Sequence, residues 1–113
     1  MTPRQEKWQG SNWIRREKRI AIYARDGLSC IYCGATAEDD TLTLDHLQPV
    51  ELGGGNGAGN LVTCCRRCNG AKGSRSVRQF LRYLRLQGID TSAIARKIRR
   101  AINKPINYGR KLS

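Results

Sequence analysis

The sequence predicts a small α+β domain: two short strands around a glycine loop, clamped by four cysteines and flanked by helices. Three observations lead there. Cys30 and Cys33, and again Cys65 and Cys68, are paired at Cys-x-x-Cys spacing. Two apolar stretches, Leu42 to Leu47 and Asn60 to Thr63, are too short for buried helices and are separated by Gly53-Gly54-Gly55-Asn56-Gly57-Ala58-Gly59. Helical periodicity appears before and after them, at residues 14–25, 76–87 and 92–103. With 113 residues the chain has room for little more than one core, and 39% hydrophobic and 6% aromatic content makes that core thin enough to need a staple.

Taken in order, residues 1–13 form a basic arm carrying Trp8 and Trp13, for which core anchoring is favoured over stacking on bases. A helix follows from Ile14 to Arg25, with Ile20, Tyr23 and Ala24 on its apolar face, and Asp26-Gly27 ends it. Leu42-Thr43-Leu44-Asp45-His46-Leu47 reads as a strand that stops before Pro49. The second strand leads into a short helix beginning near Cys65 or Arg66. Ser76-Val77-Arg78-Gln79 has the spacing of a capping box and opens a helix to Gln87, with Val77, Phe80, Leu81 and Leu84 as its stripe. The last helix, Ser92 to Asn103, repeats Ile94, Ile98 and Ile102 every four residues and is limited by Pro105. The expected divisions are an arm at 1–13, a zinc-stabilised core at 14–75, basic helices at 76–103 and a tail at 104–113.

Met1 to Arg19 is polar and basic, without an apolar run that would serve as a secretory signal or a membrane span. The expectation is a cytoplasmic protein with no membrane partner. In a reducing compartment, cysteines spaced as pairs are metal ligands more often than disulfides. Two knuckles, each followed by Gly or Asn-Gly, supply four thiolates for a tetrahedral Zn²⁺ with no open position, hence a structural ion. A thioredoxin-like redox pair would want a βαβ pattern, which this chain lacks. Cys64 adjoins Cys65 and can compete as a ligand, but Cys65 and Cys68 have the knuckle spacing, leaving Cys64 as a small buried hydrophobe. The single histidine rules out a finger with two histidine ligands.

Between the pairs lie 31 residues, more than the roughly 15 to 20 of a simple ribbon. The clamp therefore encloses an insert with work of its own. Asp45 is an acid inside an apolar strand, where a carboxylate is costly without a cation or hydrogen bonds, and it adjoins His46. A lone histidine among apolar residues is usually structural; its company here, Asn60, Asn69 and Lys72, argues otherwise.

These segments together resemble the HNH endonucleases, or ββα-metal (His-Me finger) nucleases. The likeness rests on Asp26-Gly27 with Cys30-Ile31-Tyr32-Cys33-Gly34, on Leu44-Asp45-His46-Leu47-Gln48-Pro49, on the glycine loop, and on Asn60-Leu61-Val62-Thr63-Cys64-Cys65-Arg66-Arg67-Cys68-Asn69-Gly70-Ala71-Lys72-Gly73. It covers about residues 14–75 and, with Asn69 at the third signature position, is of the H-N-N kind. The resemblance implies a metal-dependent DNA endonuclease or nickase that leaves 5′-phosphate and 3′-hydroxyl ends. It implies His46 as general base, Asp45 and Asn69 as ligands of Mg²⁺ or Mn²⁺, Asn60 bracing the loop and orienting His46, and Lys72 facing a phosphate. Elementary chemistry agrees: an imidazole exchanges protons near neutral pH, and hard oxygen ligands suit Mg²⁺ and Mn²⁺. In a regular strand Asp45 and His46 would point to opposite faces, so the site requires the strand to end or twist at His46.

The net charge of +12, from 21 basic against nine acidic residues, points to a polyanionic partner: DNA, expected to be double-stranded, with RNA still open. Arg66, Arg67, Arg75, Arg78, Arg82, Arg85, Arg96 and Arg100 are the expected phosphate-contacting set; the bland alternative is a solvated helix face. Small nucleases resembling this one occur in phages and mobile elements. That implies a bacterial or phage-infected host cell, a phage packaging or other protein partner, and a monomer or homodimer. A non-catalytic zinc module that only binds nucleic acid would need neither the Asp45-His46 pair nor Asn69.

Overall fold

The computed structural model describes residues 14–107; the expectations for Trp8, Trp13, the basic arm and the end of the tail lie outside them. Four helices and one antiparallel pair of strands make up the regular structure of this span: α1 (Arg16–Arg25), β1 (Leu42–His46), β2 (Leu61–Cys65), α2 (Arg66–Lys72), α3 (Val77–Leu86) and α4 (Ser92–Ile102). Two single 3-10 turns, Val50–Leu52 and Ala58–Asn60, punctuate the glycine loop.

Strand β2 is the centre of the molecule, and all five of its residues are buried. Its alternation separates two apolar clusters. Leu61 packs with Ile14 and Ile22 on one side. On the other, Val62 and Cys64 join Tyr32, Leu47, Phe80, Ile94 and Ile98, so the knuckle, the sheet and both C-terminal helices share one core. Register is fixed from Leu42 opposite Cys65 to His46 opposite Leu61.

α1 is one residue pair shorter than expected and is turned differently. Ala21, Ile22 and Arg25 face inward while Ile20 is half exposed. The reason is Arg25. Its guanidinium is buried, donating to the main-chain oxygens of Ala58 (2.8 Å) and Leu61 (2.7 Å) and pairing with Asp26 (2.7 Å). Periodicity alone assigns an arginine to the outer face; four acceptors under it reverse that assignment. Asp26 in turn accepts from the Thr63 amide at 2.8 Å, and Gly27 turns the chain away with φ +78°.

The capping box at α3 forms as the spacing predicts, with Ser76 N donating to Gln79 (2.9 Å) and Gln79 N to Ser76 Oγ (3.2 Å). Phe80 is buried by the stripe below it, and Gly88 ends the segment with φ +88°. No described helix is long and apolar enough to cross a membrane.

Candidate active site and metal cluster

The two knuckles meet. The sulfurs of Cys30, Cys33, Cys65 and Cys68 all lie within 4.8 Å of one another, with Cys33 and Cys65 at 3.7 Å. A tetrahedral zinc with bonds of about 2.3 Å separates its sulfurs by roughly 3.8 Å, so the cluster has the size and donor set of a Zn²⁺ cage. A hydrogen bond from Cys64 holds the Cys30 thiol down to about 4. Burial pushes the Cys65 and Cys68 thiols upward, and for Cys68 the charge of Cys30 adds to it. With all four ionised, thiolates this close would need a cation among them. Cys64 is not one of the four: it is fully buried beside Cys30, and its thiol also lies 3.3 Å from the Cys65 carbonyl.

Strand and helix periods build the polar site. Thr43 and Asp45 share one face of β1, two residues apart, and meet Asn69 and Lys72, three apart on one face of α2. Asn69 Nδ2 donates to Thr43 Oγ1 at 2.9 Å, and Thr43 Oγ1 donates to the Cys64 carbonyl at 2.9 Å. With its nitrogen so committed, the Asn69 amide offers its oxygen to a hard cation. Asp45 is 4% exposed. Its carboxylate accepts from Tyr32 Oη at 2.7 Å and pairs with Lys72 Nζ at 3.0 Å. Burial raises its pKa, against the opposing pull of Lys72 and Tyr32; burial, then the Asp45 charge, raises that of Tyr32. An ionised carboxylate has about four lone-pair sites, so these two bonds leave capacity for a metal.

His46 is the last residue of β1, which resolves the facing problem: beyond it the chain leaves the strand, and Asp45, His46, Asn56 and Asn69 all line one cavity of about 670 Å³. His46 Nε2 lies 2.8 Å from Asn56 Oδ1. Asn60 ties the loop together. Its side chain accepts from Gln48 N (2.9 Å) and donates to Gln48 O (3.0 Å) and Gly55 O (2.9 Å). The loop's approach is tight: a Cβ on Gly54 would stand 1.8 Å from the Gln48 oxygen. Asn56 contacts His46, while the Asn60 bonds described go to Gln48 and Gly55; the sequence offered only the hint that Asn56 is the one polar residue of the loop.

Lys72 turns inward, on the wall of the same cavity. Only 2% exposed, it donates to the main-chain oxygens of His46 (2.9 Å) and Arg75 (2.7 Å) besides pairing with Asp45. A buried carboxylate on the neighbouring strand draws the ammonium inward, since either charge alone would be costly there. Tyr32 and Thr43 are residues that motif reading passed over; Tyr32 occupies the gap of the first knuckle, so the cluster that holds the cysteines also delivers its hydroxyl to Asp45.

The arginines divide into two sets. Arg67 reaches Cys33 Sγ at 3.8 Å, and the thiols beside it raise its pKa. Arg75 donates to Ala71 O at 2.8 Å and lies 4.4 Å over the Tyr83 ring. Arg66, Arg78, Arg82, Arg85, Arg96 and Arg100 are exposed.

A strand pair closed by one helix, with its polar residues collected at a single cavity beside four thiols, is the ββα-metal architecture that the sequence resemblance implies. Residues 30–85 match the family model described as HNH endonuclease, and the chain contains a domain of that family. Its relatives include the CRISPR-associated endonuclease Cas9 of Actinomyces naeslundii, 45% identical over 55 residues, which are 48% of this chain and 5% of that protein. The Cas9 of Corynebacterium diphtheriae is 28% identical over 82 residues, 72% of this chain and 8% of that protein. The crystal structure of the Type II-C Cas9 enzyme from Actinomyces naeslundii superposes with a TM-score of 0.52 at 28% identity, covering 75% of this chain and 10% of that one. The chain thus spans a tenth or less of the length of these relatives.

Proposed function

We propose that the domain is a metal-dependent DNA endonuclease or nickase that hydrolyses phosphodiester bonds, with His46 as general base. The observation that carries this reading is the convergence of His46, Asp45 and Asn69 on one cavity, each already oriented by a second side chain. Such preorganisation is what positioning a scissile phosphate needs.

In this reading the His46 imidazole takes a proton from water as its oxygen attacks phosphorus. The bond from phosphorus to the 3′ oxygen breaks, and that oxygen leaves as a hydroxyl after protonation by solvent. Asp45 and Asn69 would hold Mg²⁺ or Mn²⁺, which when bound supplies Lewis-acid stabilisation of the charged phosphate and the departing oxygen. Lys72 keeps Asp45 fixed, Asn60 keeps the loop closed on Gln48, and the four cysteines would hold Zn²⁺, which would tie the knuckles together. The exposed arginines Arg66, Arg78, Arg82, Arg85, Arg96 and Arg100 track the duplex backbone. The relatives carry the matching segment inside much larger CRISPR-associated endonucleases, which supports a cutting module whose sequence choice comes from a partner. A cytoplasmic setting and a monomeric or dimeric state belong to the same proposal.

One observation favours a second reading, a zinc module that binds nucleic acid without cutting it: Asp45 is already neutralised by Lys72. Incubation of supercoiled plasmid with Mg²⁺, Mn²⁺ or EDTA, using wild type and His46→Ala, separates the two. Metal-dependent nicking or linearisation, lost in the variant while gel-shift binding persists, supports the nuclease. Binding by both proteins with cutting by neither supports the module.

A further inference from the structure

The glycine loop is the least self-supporting part of the site. Five of the seven residues from Gly53 to Gly59 are glycine, and ordering glycine costs more backbone entropy than ordering any other residue. Contacts from outside must hold it. Asn60 secures Gly55. The next residue, Asn56, is gripped at its main-chain oxygen by Lys18 Nζ from α1. That grip aims the Asn56 side chain at His46, with Oδ1 2.8 Å from Nε2. A segment otherwise without functional side chains thus presents one, against the residue read above as the base.

The chemistry of that contact is specific. An amide oxygen only accepts, so it requires a proton on Nε2. In the neutral ring the basic lone pair then belongs to Nδ1. We propose that Asn56 is a positioning residue, fixing the tautomer and ring orientation of His46, and that Lys18 holds it in place from an element upstream of the matched family segment. The inference rests on the general-base reading of His46. Neither residue touches substrate in this account. Both act through the imidazole.

The chain has a single histidine, so the test can be read without assignment. Two-bond nitrogen-to-carbon-proton NMR correlations on zinc-loaded protein at alkaline pH should show the Nε2-protonated tautomer in wild type. Asn56→Ala should shift the ring nitrogens toward a tautomer mixture, Asn56→Asp should retain the wild-type pattern, and Lys18→Met should give an intermediate one. In plasmid cleavage, Asn56→Ala should lose about 10- to 100-fold in kcat with KM within about twofold, and Asn56→Asp should recover most of it. Zinc content and melting temperature, unchanged in the variants, exclude a folding defect. An Nδ1-protonated wild type, nitrogen shifts that Asn56→Ala leaves unchanged, or full kcat in that variant would each overturn the proposal. If wild type does not cut at all, the nuclease reading fails on its own, and the NMR arm still decides whether Asn56 sets the tautomer.

Discussion

Tyr32 Oη donates to Asp45 Oδ2 across 2.7 Å, joining the first cysteine knuckle to the carboxylate of the candidate active site. Tyr32→Phe keeps the ring's edge-on packing against Phe80, at 5.0 Å between centroids, and removes only the hydroxyl. Bonds to charged groups contribute about 1.5–3 kcal/mol, so calorimetry on zinc-loaded protein should show a stability loss of that order. Plasmid cleavage should fall in parallel if Asp45 holds the cation.

Lys72→Met removes the charge that accompanies buried Asp45. Breaking a buried pair from one side costs about 3–5 kcal/mol, a large share of a small domain's stability. The double variant Asp45→Asn with Lys72→Met should recover most of that loss in denaturant titration without restoring cleavage. A Lys72→Met protein that is fully stable yet binds DNA with a shallower salt dependence would return the lysine to a phosphate-facing role.

Metal analysis should find about one Zn²⁺ per chain, and a strong chelator should abolish near-ultraviolet dichroism. Cys68→Ser should lose the ion, because its thiol belongs to the cluster. Cys64→Ala should keep it, since that sulfur is outside the four that cluster.

Among the arginines, Arg78→Ala and Arg82→Ala should each lower the slope of log affinity against log salt by about 0.9 on duplex DNA. Arg75→Ala, whose charge lies over Tyr83, should change the slope little. Equal effects at all three positions would mean that the basic face acts only through net charge.

Asp90 accepts from the Ser92 amide at 3.0 Å at the start of α4, and hydrogen bonds to Ser92, with Arg96 beside it, hold its pKa below the usual carboxylate value. A depressed folded pKa contributes stability that is present above the unfolded value and lost as pH falls through the folded one. Asp90→Ala should therefore melt lower than wild type at neutral pH, and the gap should close once the medium is more acidic than the ordinary carboxylate range.

What could be read in the sequence were features whose partners lie close by along the chain: the knuckles, the capping box of Ser76 and Gln79, and the Asp45-His46 step at a strand end. The part given to Asn60 came through the family resemblance, since its bonds to Gln48 span 12 residues. Tyr32 with Asp45, Thr43 with Asn69 and Lys18 with Asn56 were not legible, because those contacts join elements 13, 26 and 38 residues apart. The inward turn of Lys72 was not legible for the same reason. Whether a lysine turns inward depends on which strand the fold lays beneath it.

Arg25 carries a consequence for where the module can be severed. It precedes the matched segment of residues 30–85, yet its guanidinium ties the carbonyls of Ala58 and Leu61, and its partner Asp26 ties the Thr63 amide. A fragment trimmed to begin at Cys30 would strip donors from the central strand and the loop's grip from Lys18 together. Anyone transplanting this domain into another scaffold should cut upstream of α1, because the helix behaves as part of the site's mounting rather than as a leader to it.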